Sequence, residues 1–202
     1  MNGAAPSGAR RPVDAFRLAI GLGVSLAPAT VAFGHGPRHV ADRAARLRIA
    51  VASLGATPGL SLVRVSRWWS SPPMRGGTAR NPFLNAVALF VCTTSIEAVL
   101  TRCKALEARA GRRRNRFWGD RPLDLDLLLA ERHVRTDPEL SLPHPGIRAR
   151  PFVLGPLLEV WPDAVDPRDG TGFRATPTPP GPRAWPIGAP GAPRVAGRGP
   201  VA

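Results

Sequence analysis

Lysine is almost missing from this 202-residue chain: Lys104 is the only one, and arginine carries the rest of the positive charge. Acids are half as frequent as bases, 14 Asp and Glu against 28 Lys and Arg, leaving a formal charge of +14. A balance that basic favours a polyanionic partner such as nucleic acid, nucleotide or anionic lipid. The bias toward arginine fits a GC-rich genome as well as it fits phosphate binding, so only the sign of the charge is informative. Cysteine is scarce too. Cys92 and Cys103 are too few for a disulfide framework and lack the spacing of a metal knuckle, which points to a reducing, cytoplasmic setting. No apolar run is long enough to span a bilayer as a helix, and no internal repeat is present.

What the chain has in excess is proline and glycine, 24 and 21 residues, and these concentrate toward the ends. A length of 202 residues allows one domain with a sizeable core and not comfortably two. The division expected is a loose N-terminal extension over 1–29, a globular domain over 30–168, and a disordered Pro/Gly-rich tail over 169–202 that can be trimmed without loss of activity. Within the extension, Arg10, Arg11 and Arg17 precede the apolar run Leu18 to Ala27 in the manner of a secretory signal. Asp14, Arg17 and the glycines of the run argue against that reading. No chemistry is expected there.

The middle of the chain alternates between two periodicities. Thr30–Phe33 reads as a short strand stopped by Gly34-His35-Gly36-Pro37, and Asp42–Leu54 as a helix ended by Gly55. Leu60–Trp68 has the period of two of a half-buried strand, and Phe83–Thr93 reads as another strand. Ser95 opens a helix that runs to about Ala110, Leu123–Leu129 is a strand, and Phe152–Val160 is a final apolar segment. The order strand, helix, strand, strand, helix, strand is that of an α+β, ferredoxin-like sandwich, with a largely antiparallel sheet and helices packed on one face.

The segment richest in chemistry runs from Gly111 to Leu129. Residues two apart on a strand share a face, so Asp124 and Asp126 point to one side while Leu123, Leu125 and Leu127 face the core. Two carboxylates side by side repel each other unless a divalent cation or arginines neutralise them, and such hard oxygen ligands suit Mg²⁺ on a substrate's phosphates. Taken alone, an Asp-x-Asp pair is more often a solvated sheet face. The arginines just upstream turn it into a layout for gripping a metal-bound triphosphate.

The run Arg113, Trp118, Arg121, Asp124, Leu125, Asp126 resembles the signature of 6-hydroxymethyl-7,8-dihydropterin pyrophosphokinases, and the similarity extends from about Thr30 to Asp166. Ser71-Pro72-Pro73-Met74 and Phe83-Leu84-Asn85 look like that family's pterin loop and strand. Pro143-His144, Arg150 and Phe152 look like its later segments. The resemblance implies transfer of diphosphate from ATP to the hydroxymethyl group of the dihydropterin with release of AMP. It assigns catalysis to Arg113, Arg121, Asp124 and Asp126, with two Mg²⁺ ions on the two aspartates. It assigns ATP to Glu107, Arg113, Trp118, Arg121, Leu127, His144 and Arg150, and the pterin to Ser71, Pro72, Met74, Phe83, Asn85, Trp118 and Phe152. The partners implied are ATP and the dihydropterin, with no nucleic acid and no membrane, acting on a monomer. Departures from the pattern are Phe117 where an arginine is common, a count between Glu107 and Trp118 that is one short, Gly34-His35-Gly36 without an asparagine, Ser71 for threonine, and Pro145. They bear on rate and affinity more than on reaction type. Two other readings compete: a non-enzymatic nucleic-acid binder, which leaves the two aspartates inside the basic patch unexplained, and a family member that has lost catalysis, supported by Phe117.

Overall fold

The computed structural model describes residues 14–25, 37–73, 78–79, 81–112, 121–177 and 185–186, with backbone alone at 37–41 and 185–186. The first element is a correction. Phe16–Ser25, expected to be loose, forms strand β1, and it is an interior strand of the sheet, next to its edge. The strand expected at Thr30–Phe33 and the turn Gly34-His35-Gly36 lie outside the described residues. Helix α1 (Pro37–Gly55) follows, then β2 (Leu60–Val65), β3 (Trp69–Ser71) and β4 (Phe83–Cys92). The strand expected over Leu60–Trp68 ends at Val65, and a further short strand, β3, follows it: β2 pairs with one end of β4, with a register shift between Leu62 and Arg64, and β3 pairs with the other end.

Helix α2 (Ile96–Arg109) is capped as its sequence suggests: the Ser95 hydroxyl accepts from the Ala98 N–H, and Glu97 sits in the positively polarised first turn. β5 (Asp124–Ala130), the small hairpin β6 (Arg135–Asp137) and β7 (Leu140–Leu142), and helix α3 (Pro151–Val160) complete the domain. In the main sheet β5 pairs with β1, β1 with β4, and β4 with β2 and β3, all antiparallel. This is the ferredoxin-like arrangement, with a different segment supplying the first strand.

Alternation divides the sheet into two faces. Leu18, Ile20, Leu22 and Val24 of β1, with Leu84, Ala86, Ala88 and Phe90 of β4 and Leu123, Leu125 and Leu127 at β5, pack against α1 and α2. The helices do not all lie on that face, contrary to expectation. Helix α3 covers part of the opposite face, where Leu154, Leu157, Val160 and Trp161 meet Ala19, Val87, Leu89, Leu128 and Leu129.

The tail also needs correction. Phe173, in a short 3-10 turn (Phe173–Ala175), is 1% exposed within this second core. Nearby, Asp166 is fully buried and accepts from Arg168, and Arg148 lies 3.6 Å from it. Farther on, β8 (Trp185–Pro186) pairs with β3. A Pro/Gly-rich composition concealed a phenylalanine large enough to anchor the chain. Among the described residues no helix is long and apolar enough to cross a membrane.

Candidate active site

The face covered by α3 is only half covered. Beyond the first turn of α3 it opens into a cleft of about 360 Å³. Its floor is set by β1, where Gly21 and Gly23 occupy two successive positions on this face and present no side chains. Gly23 lies opposite Asn85 on β4 and opposite Asp124 on β5; Gly21 lies opposite Val87 and Asp126. A Cβ on Gly23 would stand 3.6 Å from both Asn85 Oδ1 and Asp124 Cβ. Asn85 and the acid pair therefore flank a bare strand, two strand spacings or roughly 10 Å apart.

On the β5 side, Asp124 Oδ1 is 2.6 Å from Arg121 Nη1 and 3.1 Å from Arg112 Nη1. Ser25, the last residue of β1, holds the Arg121 backbone: its N–H donates to the Arg121 carbonyl at 2.9 Å, and its hydroxyl accepts from the Arg121 N–H. Burial works against the Arg121 charge, but the Asp124 carboxylate outweighs it and raises its pKa. Asp126 makes no ion pair among the described residues. Burial, and then the neighbouring Asp124 charge, push it up to about 7 despite Arg121 and Arg150.

Glu107 is not in the cleft. It is 6% exposed at the end of α2, accepts from the Leu125 N–H at 2.8 Å, and pairs with Arg112. Burial raises its pKa against the pull of those two partners. It braces β5 through the Leu125 N–H and pairs with Arg112, which lines the cleft. The Leu127 side chain is in the helix-side core, as strand alternation requires, and does not line the cleft. Arg112 is the cleft arginine that the sequence reading passed over in favour of Arg113. The one-residue deficit between Glu107 and Trp118 was the signal that the arginines could be misassigned.

Four lining residues, His144, Arg150, Phe152 and Val153, come from the segment before and into α3. The His144 N–H donates to Leu128 O at 2.8 Å, and His144 Nδ1 accepts from Gly146 N at 2.9 Å. Burial and the Arg150 charge hold His144 below its ordinary pKa, so it is neutral near pH 7. A Cβ on Gly146 would come within 2.8 Å of the His144 ring and 3.0 Å of Arg150 Cδ, so only glycine lets these two converge. Arg150 is the N-cap of α3, Pro151 follows it, and Phe152 and Val153 of the first turn line the cleft.

On the β4 side, Asn85 is 7% exposed and its amide donates to Ser71 Oγ at 2.9 Å and Trp69 O at 3.3 Å. Phe83, Ser71 and Pro72 line the same wall. The cleft thus gathers Ser71, Pro72, Phe83, Asn85, Arg121, Asp124, Asp126, His144, Arg150 and Phe152 of the residues expected from sequence, and adds Arg112 and Gly21. Met74, Arg113 and Trp118, with the Phe117 departure, lie outside the described residues. Among those described, no three His, Cys, Asp or Glu side chains converge as a metal cage. Two carboxylates, one of them unpaired, still suit a cation that takes its remaining oxygens from a substrate's phosphates and water.

Carboxylates and guanidinium groups at one end of a cleft, with an amide and a ring at the other, define a phosphate-transfer site that seats a flat heterocycle beside a polyphosphate. The family model for 7,8-dihydro-6-hydroxymethylpterin-pyrophosphokinase matches residues 31–162, which leaves β1 outside the matched span. The 2-amino-4-hydroxy-6-hydroxymethyldihydropteridine pyrophosphokinase of Methylorubrum extorquens is 41% identical over 127 residues, 63% of this chain and 80% of its relative. The enzyme of the same name from Synechocystis is 36% identical over 124 residues, 61% of this chain and 63% of the relative. A crystal structure of a substituted Plasmodium falciparum HPPK-DHPS with pterin superposes with a TM-score of 0.53 at 10% identity, over 83% of this chain and 44% of that one, and speaks for the fold alone. The chain belongs to the 7,8-dihydro-6-hydroxymethylpterin-pyrophosphokinase family, and as a member it is a diphosphokinase.

Proposed function

We propose that this cleft transfers the terminal diphosphate of ATP to the hydroxymethyl group of 6-hydroxymethyl-7,8-dihydropterin, releasing AMP, as a step of folate biosynthesis. The hydroxymethyl oxygen bonds to the β-phosphorus, the bond from that phosphorus to the α-phosphate bridging oxygen breaks, and the hydroxyl proton is lost to solvent. The observation that carries this reading is the pairing, across Gly23, of an amide that can read a heterocycle with an acid pair that can hold metal-bound phosphates.

Asn85, buried and fixed by Ser71 and Trp69, keeps its Oδ1 free of any hydrogen bond among the described residues, available to the amide edge of the pterin. Phe152 stacks on the ring, and Phe83, Ser71, Pro72 and Met74 complete that wall. Asp124 and Asp126 hold two Mg²⁺ ions with the triphosphate. Bound there, the metal neutralises phosphate charge. Arg112, Arg121 and Arg150 supply positive charge at the same end, and neutral His144 offers a ring N–H. Arg113 and Trp118 are assigned to the ATP side by the resemblance, Trp118 also to the pterin. The resemblance implies a monomer, and use of ATP fits the cytoplasm.

A coupled assay of AMP formation tests this directly. Release is expected only when ATP, Mg²⁺ and the hydroxymethyl dihydropterin are all present. AMP formation without the pterin, or none with all three, would overturn the reading.

A further inference from the structure

We propose that Trp69 is a positioning residue that sets the separation between Asn85 and Phe152, the two groups that read the pterin; this rests on the reading of the cleft given above. Trp69 acts on both at once. Through its backbone, it pairs with Asn85 across β3 and β4 and accepts from the Asn85 amide at 3.3 Å, next to the Ser71 hydroxyl at 2.9 Å. Through its ring, it supports α3. A Cβ on Gly155 would come within 2.8 and 2.9 Å of the ring atoms Cζ3 and Cζ2, with Cη2 nearer still.

Gly155 lies three residues after Phe152, on the same face of α3. A glycine inside a helix is unfavourable relative to alanine, and this one is kept where the helix backbone must sit directly on an indole. The Trp69 Nε1–H is buried and has no acceptor among the described residues, so ring and helix are located by fit alone. The thickness of the indole therefore fixes how far α3, and with it Phe152, stands above the strand whose carbonyl holds Asn85. β3 itself has three residues and is held on its outer edge by the β8 pairing at Trp69–Pro186 and Ser70–Trp185.

The test is Gly155→Ala, measured for pterin affinity, ATP affinity, thermal stability and the NMR signals of the Asn85 side-chain amide. Alanine favours the helix, so the protein stays folded while α3 and the indole are forced apart. Pterin affinity should fall by about tenfold to a hundredfold, the scale of a displacement near 1 Å in a positioned site. ATP affinity should hold, and the Asn85 amide signals should move even without ligand. Adding Trp69→Phe to Gly155→Ala makes room for the new methyl and should restore most of the pterin affinity. Unchanged pterin affinity and amide signals in Gly155→Ala, or equal losses for both ligands that Trp69→Phe does not rescue, would overturn the inference. A folded wild-type protein that binds no pterin would instead overturn the reading of the cleft, while the amide signals still decide whether Trp69 holds Asn85.

Discussion

Asp126 is the residue at which stability and function pull apart. Buried beside Asp124 and without an ion pair among the described residues, its carboxyl rises from 3.8 to about 7. A raised folded-state value in an acid means that ionisation costs stability: nothing is lost below the unfolded value, and the penalty grows as pH rises to about 7. In metal-free protein, Asp126→Asn should therefore raise the melting temperature at about pH 8 and change it little at about pH 4. The same variant, like Asp124→Asn, should lower turnover by orders of magnitude with the fold intact; near-normal turnover in both would remove the metal assignment. His144 shows the opposite sign. Its value is held below 6.5, so the native state prefers the neutral ring and stability is lost as pH falls through that range. His144→Gln should flatten the acid limb of a melting-temperature profile, and an unchanged profile would contradict the stated burial. Phe152 separates two roles in one variant. Stacking on the pterin predicts that Phe152→Ala weakens pterin binding by about 1 to 3 kcal/mol with ATP little affected. A core phenylalanine would instead cost about 3 to 5 kcal/mol of folding stability.

Among elements, β1 was hidden and β5 was plain, for physical reasons. β5 carries alternating acid and leucine, so its two faces can be told apart from sequence, and strand alternation placed Leu127 in the core where the resemblance had placed it at ATP. β1 is buried on both sides by neighbouring strands and on both faces along much of its length, so it shows no polar alternation. Its glycines look like weaknesses of an apolar run, and basic residues precede it as they precede a signal. Those glycines are the cleft floor. Gly23→Ala should be tolerated, since its Cβ would meet its neighbours at 3.6 Å, whereas Gly23→Leu should abolish binding of both substrates without unfolding the protein. Parallel binding and melting measurements check this, and intact binding in the leucine variant would mean that the floor is elsewhere. Glu107 was legible only as a functional residue by resemblance; its bracing role depends on the Leu125 N–H, a backbone contact 18 residues away that no spacing reveals.

At the scale of the molecule, the α+β class and its antiparallel sheet follow from the order of elements, while the domain limits do not follow from composition. Proline and glycine mark where regular structure is scarce; they do not mark where burial stops. Trimming the chain after Asp169 removes Phe173 from the second core and should cost about 3 to 5 kcal/mol, the scale for losing a buried phenylalanine. Ending it after residue 186 keeps that core and the β8 pairing and should leave the melting temperature close to that of the full chain; equal melting temperatures for the two truncations would show that Phe173 anchors nothing. The geometry of the cleft turns on β1, which separates a heterocycle half from a phosphate half across one bare glycine. A crystal structure with Mg²⁺, a non-hydrolysable ATP analogue and the hydroxymethyl pterin tests it most directly. Expected there are the pterin edge on Asn85 under Phe152, the β- and γ-phosphates over Asp124 and Asp126, and the hydroxymethyl oxygen facing the β-phosphorus above Gly23. A pterin bound away from Asn85, or phosphates that leave both aspartates untouched, would contradict it.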